Sequence, residues 1–113
     1  VLGGHVAIHQ FCRIGTLSMI AGGAGVSQDV PPFCLVHGNH AKPVGLNLIG
    51  LRRAGIKKDK LEKIKKVYRS LYLMNKTLDE AISLIKEEIF SIEKDLKVFL
   101  DFLTSPTKRG ICR

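Results

Sequence analysis

One spacing constrains this chain more than any other feature. Leu2, Ile8, Ile14, Ile20 and Val26 are all aliphatic and stand six residues apart. The residue after each is Gly3, His9, Gly15, Ala21 and Ser27, mostly small, and the position four after each of the first four is Val6, Cys12, Ser18 and Ala24, small again. A helix repeats about every 3.6 residues and a strand about every 2, so neither produces this pattern. A parallel β-helix does, because its short flat strands meet at tight corners. The aliphatic side chain points inward and stacks on its counterpart one coil away, and the small residues fit where the backbone turns. In the left-handed form three hexads make one triangular coil, which predicts Leu2 stacked near Ile20 and Ile8 near Val26. Five hexads are fewer than two coils, and folds of this kind need three or more units to bury a core. The opening Val1-Leu2-Gly3-Gly4, in mid-pattern and without Met, adds to the expectation that these 113 residues belong to a longer protein.

The hexads stop at Pro31-Pro32, and residues 33–46 read as an irregular connection. Beyond them the period becomes helical. Leu46, Ile49 and Arg53 share one face of a short segment closed by Gly55. Asp59 with Glu62, and Thr77 with Glu80, have the three-residue spacing of capping boxes. The stripes that follow are Leu61, Ile64, Tyr68 and Leu71; then Leu78, Ala81, Ile82, Ile85 and Ile89; then Ile92, Leu96, Phe99, Leu100 and Leu103, ending near Pro106. Three apolar stripes satisfy each other as a small bundle. The expected fold class is thus β-helix plus α. Residues 1–32 are the last coils of a left-handed β-helix, 33–45 a connecting loop, and 46–113 a C-terminal helical domain.

Of the net charge of +8, almost all lies in the second half: 16 of 18 basic and 9 of 10 acidic residues follow position 50. Such a module suits an acidic partner. Its basic run from 52 to 69 contains a single aromatic, Tyr68, which belongs to the apolar stripe, and this weighs against base stacking on single-stranded nucleic acid. No apolar run is long enough to span a bilayer, nothing resembles a signal peptide, and Cys12, Cys34 and Cys112 form no disulfide framework. The expected location is the cytoplasm, without stable membrane insertion.

Few residues invite chemistry. Cys34, His37 and His40 have two residues between each, but a tetrahedral site needs a fourth ligand and no matched pair stands elsewhere, so no metal site is expected. His9-Gln10 interrupts positions that other hexads fill with small residues. The pair either tolerates the corner or faces a cleft between adjacent copies, and spacing does not choose. Arg52 and Arg53 precede the long basic helix and suit a phosphate or an acidic helix. Gly22-Gly23-Ala24-Gly25 reads as a thin coil wall, since no Gly-Lys-Ser/Thr follows it.

Several stretches then become specific. His9-Gln10-Phe11-Cys12, the run from Gly22 through Ser27-Gln28-Asp29-Val30-Pro31-Pro32, Gly38-Asn39-His40-Ala41-Lys42-Pro43-Val44-Gly45-Leu46-Asn47, Gly50-Leu51-Arg52-Arg53-Ala54-Gly55 and the ending Thr107-Lys108-Arg109-Gly110-Ile111-Cys112-Arg113 resemble the UDP-N-acetylglucosamine O-acyltransferases of lipid A synthesis. The resemblance covers essentially the whole chain. It implies a left-handed β-helix followed by helices, assembled as a homotrimer with sites between subunits. It implies transfer of a 3-hydroxyacyl group from acyl carrier protein to the 3-hydroxyl of UDP-N-acetylglucosamine, with a histidine as general base and neither cofactor nor metal. By the same resemblance His9, Gln10, His40, Asn47 and Arg53 contact substrate. Gly22 occupies the acyl-chain ruler position, its missing side chain leaving room for a long chain. Arg13, Arg52 and Arg53 suit docking of the carrier protein.

Two departures qualify it. The family's catalytic histidine lies upstream of these hexads, and none of the four histidines here matches it. The family also has Glu two residues after the Asn, where this chain has Ile49, which accepts no hydrogen bond. The isolated chain is therefore expected to be inactive. The alternatives are a non-catalytic remnant that docks acyl carrier protein through its basic helices, and a nucleic-acid-binding helical domain.

Overall fold

The computed structural model describes residues 1–74, 76–88 and 94–113. In its first third the chain winds back on itself, and successive windings pair in parallel. Strand β1 (Ala7–Ile8) pairs with β3 (Gly25–Val26), with Ala7 opposite Gly25 and Ile8 opposite Val26. Leu2 bridges Ile20 in the same sense. Both offsets are eighteen residues, three hexads, as the spacing predicts. The next offsets are shorter. Ile14 bridges Val30, and β2 (Met19–Ile20) pairs with β4 (Cys34–His37), Ile20 opposite Val36, sixteen residues apart. One step, from Val26 to Val30, has contracted from six residues to four.

The corners follow the same rule. His5, Phe11, Leu17 and Gly23, six apart, have φ of 57°, 67°, 54° and 77°, and the next, Phe33 at 68°, comes ten residues later, two short of two hexads. For L residues the left-handed region costs roughly 1–2 kcal/mol each, so stacking of the windings must hold these corners in place. It also explains the small residues. A Cβ on Gly3 would stand 2.5 Å from the Gly22 nitrogen, and one on Gly15 would stand 2.3 Å from the Pro32 nitrogen. The backbones of neighbouring windings touch there.

The expectation that all five aliphatics are interior needs correction. Ile20 and Val26 are buried at 0% and 3% exposure, but Leu2, Ile8 and Ile14 are 57%, 37% and 37% exposed. Among the described residues the first winding has a neighbour on one side only. Nor does the pattern end at Pro31-Pro32, since Val30 and Val36 continue it, both fully buried. Residues 33–46 are not irregular either. Strand β4 carries the apolar run of the next winding, and β5 (Lys42–Leu46) returns antiparallel to it as the sheet edge, where Pro43 lacks no needed donor. The Asn39–His40 peptide between them is cis.

Helix α1 (Leu48–Arg53) starts at Asn47, whose side chain accepts from the Gly50 N–H. Leu51 is its buried residue, and Ile49 is 63% exposed, so the face read as Leu46, Ile49 and Arg53 is not the packed one. Helix α2 (Lys58–Tyr72) begins after Lys57 without a side-chain cap. Asp59 lies inside its first turn, where its charge favours the helix dipole, and is not the cap. Helices α3 (Leu78–Glu88) and α4 (Lys94–Thr104) complete the set. Thr77 and Glu80 do form the reciprocal capping box at α3. Leu61, Ile64, Tyr68, Leu71, Ala81, Ile85, Phe99 and Leu103 form one core, which corner residue Phe33 joins through an edge-on contact with Phe99 at 5.7 Å. Ile89 and Ile92 lie outside the described residues, as does the side chain of Leu96. Among the described residues no helix is long and apolar enough to cross a membrane.

Candidate functional site

A groove of about 270 Å³ lies where the first two windings meet the β4–β5 turn. Its lining is Ala7, Ile8, His9, Gly25, Val26, Ser27, Asn39 and His40. His9 enters it because its N–H is tied to the Val26 carbonyl at 2.8 Å, just past β1, leaving the exposed ring free of the core. The His9 Nδ1 lies 3.3 Å from the Gln10 carbonyl oxygen. Ser27 stands one eighteen-residue winding beyond His9. His40 arrives from the turn before β5. Two predicted site residues, His9 and His40, are thus brought to one apolar-walled groove.

The other predicted residues lie outside that lining. Gln10 is exposed beside it in sequence. Gly22 is an exposed corner residue, and a Cβ there would meet nothing closer than the Gly4 carbonyl at 3.4 Å. Asn47 is 94% buried: its Nδ2 donates to the Leu17 carbonyl at 2.9 Å while Oδ1 accepts from the Gly50 N–H at 3.1 Å. Both ends of that amide are engaged by backbone, so it fastens α1 to the windings. Arg13 is likewise occupied. Its Nε donates to Asp29 Oδ2 at 2.8 Å, its backbone N–H donates to Oδ1 at 2.8 Å, and its guanidinium lies 4.2 Å over the Phe102 ring. That pairing sets Arg13 apart from a docking surface. Arg52 and Arg53 are exposed on the last turn of α1, and among the described residues neither side chain has a partner.

The cysteines are not poised as nucleophiles. Burial pushes the Cys34 thiol up, with the Cys112 charge adding to it, and pushes Cys112 up to about 11. Burial raises Cys12 as well. Cys34 belongs to the helical core, and among the described residues no three His, Cys, Asp or Glu side chains gather as a metal site. The sequence reading assigned no site role to two polar groove residues, Ser27 and Asn39. Ser27 was recoverable from the eighteen-residue winding applied to His9. Asn39 was not, because the contracted step shifts everything after Val26.

With this geometry in hand, residues 29–112 match the family described as Udp N-acetylglucosamine O-acyltransferase, domain 2. The chain belongs to that acyltransferase family. An acyl-[acyl-carrier-protein]–UDP-N-acetylglucosamine O-acyltransferase of Anaeromyxobacter sp. (strain Fw109-5) is 42% identical over 110 residues, covering 97% of this chain and 42% of the relative. Among solved structures, LpxA from Acinetobacter baumannii aligns with a TM-score of 0.91 at 35% identity, over 99% of this chain and 43% of that one. The Francisella novicida UDP-N-acetylglucosamine acyltransferase gives 0.91 at 38% identity, over 99% and 41%. The chain therefore spans about two fifths of the relatives it matches. The family's second domain closes on itself here: at its two ends, the Cys112 N–H donates to the Asp29 carbonyl at 2.8 Å.

Proposed function

We propose that this chain is the C-terminal part of an O-acyltransferase that moves a 3-hydroxyacyl group from acyl carrier protein to the 3-hydroxyl of UDP-N-acetylglucosamine, the first step of lipid A synthesis. The observation that carries this reading is the groove, which sets His9 and His40 against the apolar wall of Ile8 and Val26 in a chain of this family. A polar mouth beside an apolar strip suits a sugar head and an acyl tail. In this reading the windings end a left-handed β-helix, three chains assemble with grooves between them in the cytoplasm, and Gly22 leaves space for a long acyl chain. Arg52 and Arg53, exposed and without partners among the described residues, dock the acidic carrier protein together with the basic face of α2.

A sugar hydroxyl is a poor nucleophile at neutral pH and needs a positioned base, which contributes roughly 10²–10⁴-fold. That base is expected from preceding windings, with His9 in a contact role. The deciding assay supplies acyl carrier protein thioester and UDP-N-acetylglucosamine to this chain alone and to the chain joined to the upstream windings of a relative. Turnover is expected from the joined protein only. Turnover by the chain alone, abolished by His9→Ala, would make His9 the base and overturn the inactive-alone reading. Carrier-protein binding is expected to weaken with salt, and more with Arg53→Ala than with Lys86→Ala. Equal effects would replace a docking site by a diffuse field.

A further inference from the structure

Among the described residues three polar side chains of the groove, Ser27, Asn39 and His40, have no hydrogen-bond partner, and one of them, the exposed Asn39, is seated on backbone. Asn39 lies opposite Gly25 in a parallel bridge, and the backbone on both sides of it is pinned: the Gly25 N–H donates to the Gly38 carbonyl at 2.9 Å, and the Ala41 N–H donates to the Gly25 carbonyl at 2.8 Å. Its carboxamide rests on the bare backbone of residue 25. A Cβ on Gly25 would stand 2.6 Å from Asn39 Oδ1 and 2.7 Å from its Cγ. Gly25 is thus a seat for that amide, and any side chain there would evict it. Among the described residues the Asn39 amide has no hydrogen-bond partner, in contrast to Asn47, whose amide is bonded at both ends.

The chemistry of the lining indicates what this amide faces. A carboxamide offers two donors and one acceptor, and Ser27 a hydroxyl that does either. The groove lining contains no Lys, Arg, Asp or Glu. A diphosphate calls for cations with forked or point charge, and those stand on α1, outside the groove. Uncharged groups such as the Asn39 amide and the Ser27 hydroxyl match the hydroxyls and acetamido group of a sugar ring. We infer that Asn39, seated on Gly25, hydrogen-bonds the hexosamine ring of the sugar nucleotide and so discriminates the acceptor. This rests on the acyltransferase reading above.

The test uses the protein as its gene encodes it and measures binding of UDP-N-acetylglucosamine and of UDP alone. Asn39→Ala is expected to weaken the sugar nucleotide roughly 3- to 10-fold, the worth of a neutral hydrogen bond, and to leave UDP unchanged. Thermal unfolding should not move, because the pinned backbone does not use the side chain. Gly25→Ala should reproduce the loss, and adding Gly25→Ala to Asn39→Ala should cost nothing more, since the amide it would evict is gone. An Asn39→Ala protein that binds the sugar nucleotide normally, one that loses UDP equally, or a Gly25→Ala effect of the same size in both backgrounds overturns the inference while leaving the acyltransferase reading intact. A parent protein that binds no UDP-N-acetylglucosamine overturns both.

Discussion

Asp29 gathers hydrogen bonds from two distant parts of the chain. It is fully buried and accepts from the Arg13 backbone, the Arg13 guanidinium and the Thr107 hydroxyl. Burial opposes its charge, yet the hydrogen bonds from Thr107 and Arg13, with the Arg13 charge, outweigh that and hold its pKa below 3.8. A depressed folded-state pKa means stability that is present above the unfolded value and lost as pH falls through the folded one. Denaturant titrations should therefore show stability falling below about pH 4, and the fall should be shallower in Asp29→Asn. At neutral pH Asp29→Asn should cost about 1–3 kcal/mol, because the charge facing Arg13 is lost and one of the two acceptor oxygens becomes an NH2 donor set against donors. None of this was readable from sequence, where Asp29 stood in the last hexad with no role of its own and Arg13 was assigned to docking. Ile49 is the opposite case. Its departure from the family was legible, and its 63% exposure beside Arg52 and Arg53 explains why the fold tolerates it. Ile49→Glu should leave the melting temperature unchanged or slightly higher, since Glu four residues before Arg53 adds a helix pair worth about 0.2–0.5 kcal/mol. If the departure marks decay, turnover of the joined protein should rise with it; unchanged turnover would make Ile49 a neutral variation.

The windings were legible because three constraints repeat together: an interior aliphatic, a left-handed corner and a close backbone approach. The contracted step was not, because the hexad after Val26 places Pro32 where an aliphatic is expected and so looks like an end. Only coordinates reveal Val30 as the true partner of Ile14. Helix starts divide in the same way. The Thr77–Glu80 box was legible since both partners lie within one turn, whereas Asp59 had the same spacing to Glu62 but sits one residue inside α2. The close approaches give a sharp contrast between glycines. Gly15→Ala would put a methyl 2.3 Å from the Pro32 nitrogen, against backbone with no room to move. It should cost about 1–3 kcal/mol or more, as overpacking does. Gly4→Ala meets nothing within 4 Å and needs no left-handed backbone, so it should be neutral to stabilising by about 0.4–1 kcal/mol. Equal losses from the two, measured by thermal unfolding, would mean the windings do not stack this closely.

At the scale of the whole molecule the two halves are joined by the last residues of the chain. After α4 the tail returns to the windings, where Ile111 bridges Asp29 in parallel and the Arg109 Nε donates to the Ser27 carbonyl at 3.0 Å. Successive side chains of an extended segment point to opposite sides, and here the two sides are different cores. Ile111 packs in the helical core and Cys112 in the core of the windings. The same tail is clamped from the helical side. The Tyr72 hydroxyl donates to the Cys112 carbonyl at 2.7 Å, and the Arg113 guanidinium donates to the Leu71 carbonyl at 2.8 Å. The windings were not expected to stand on their own while the helices were read as a self-sufficient bundle, and the ending looked in sequence like a family signature with no mechanical role. Its contacts make it the tie through which the halves share stability. Hydrogen exchange on the amides of β2 and β4 and on those of α2 should therefore report a common opening free energy in the intact chain. Removing residues 110–113 should separate the two, with the strands opening first, because they lose Cys112 from a small core while the helices keep most of theirs. Ile111→Ala should cost about 2–5 kcal/mol as a buried large-to-small change, and it should lower protection in α2 more than in β4. Identical protection in both halves after the truncation would show that the windings and helices are coupled through β4, β5 and Phe33 instead, with the tail merely lying across a unit already complete.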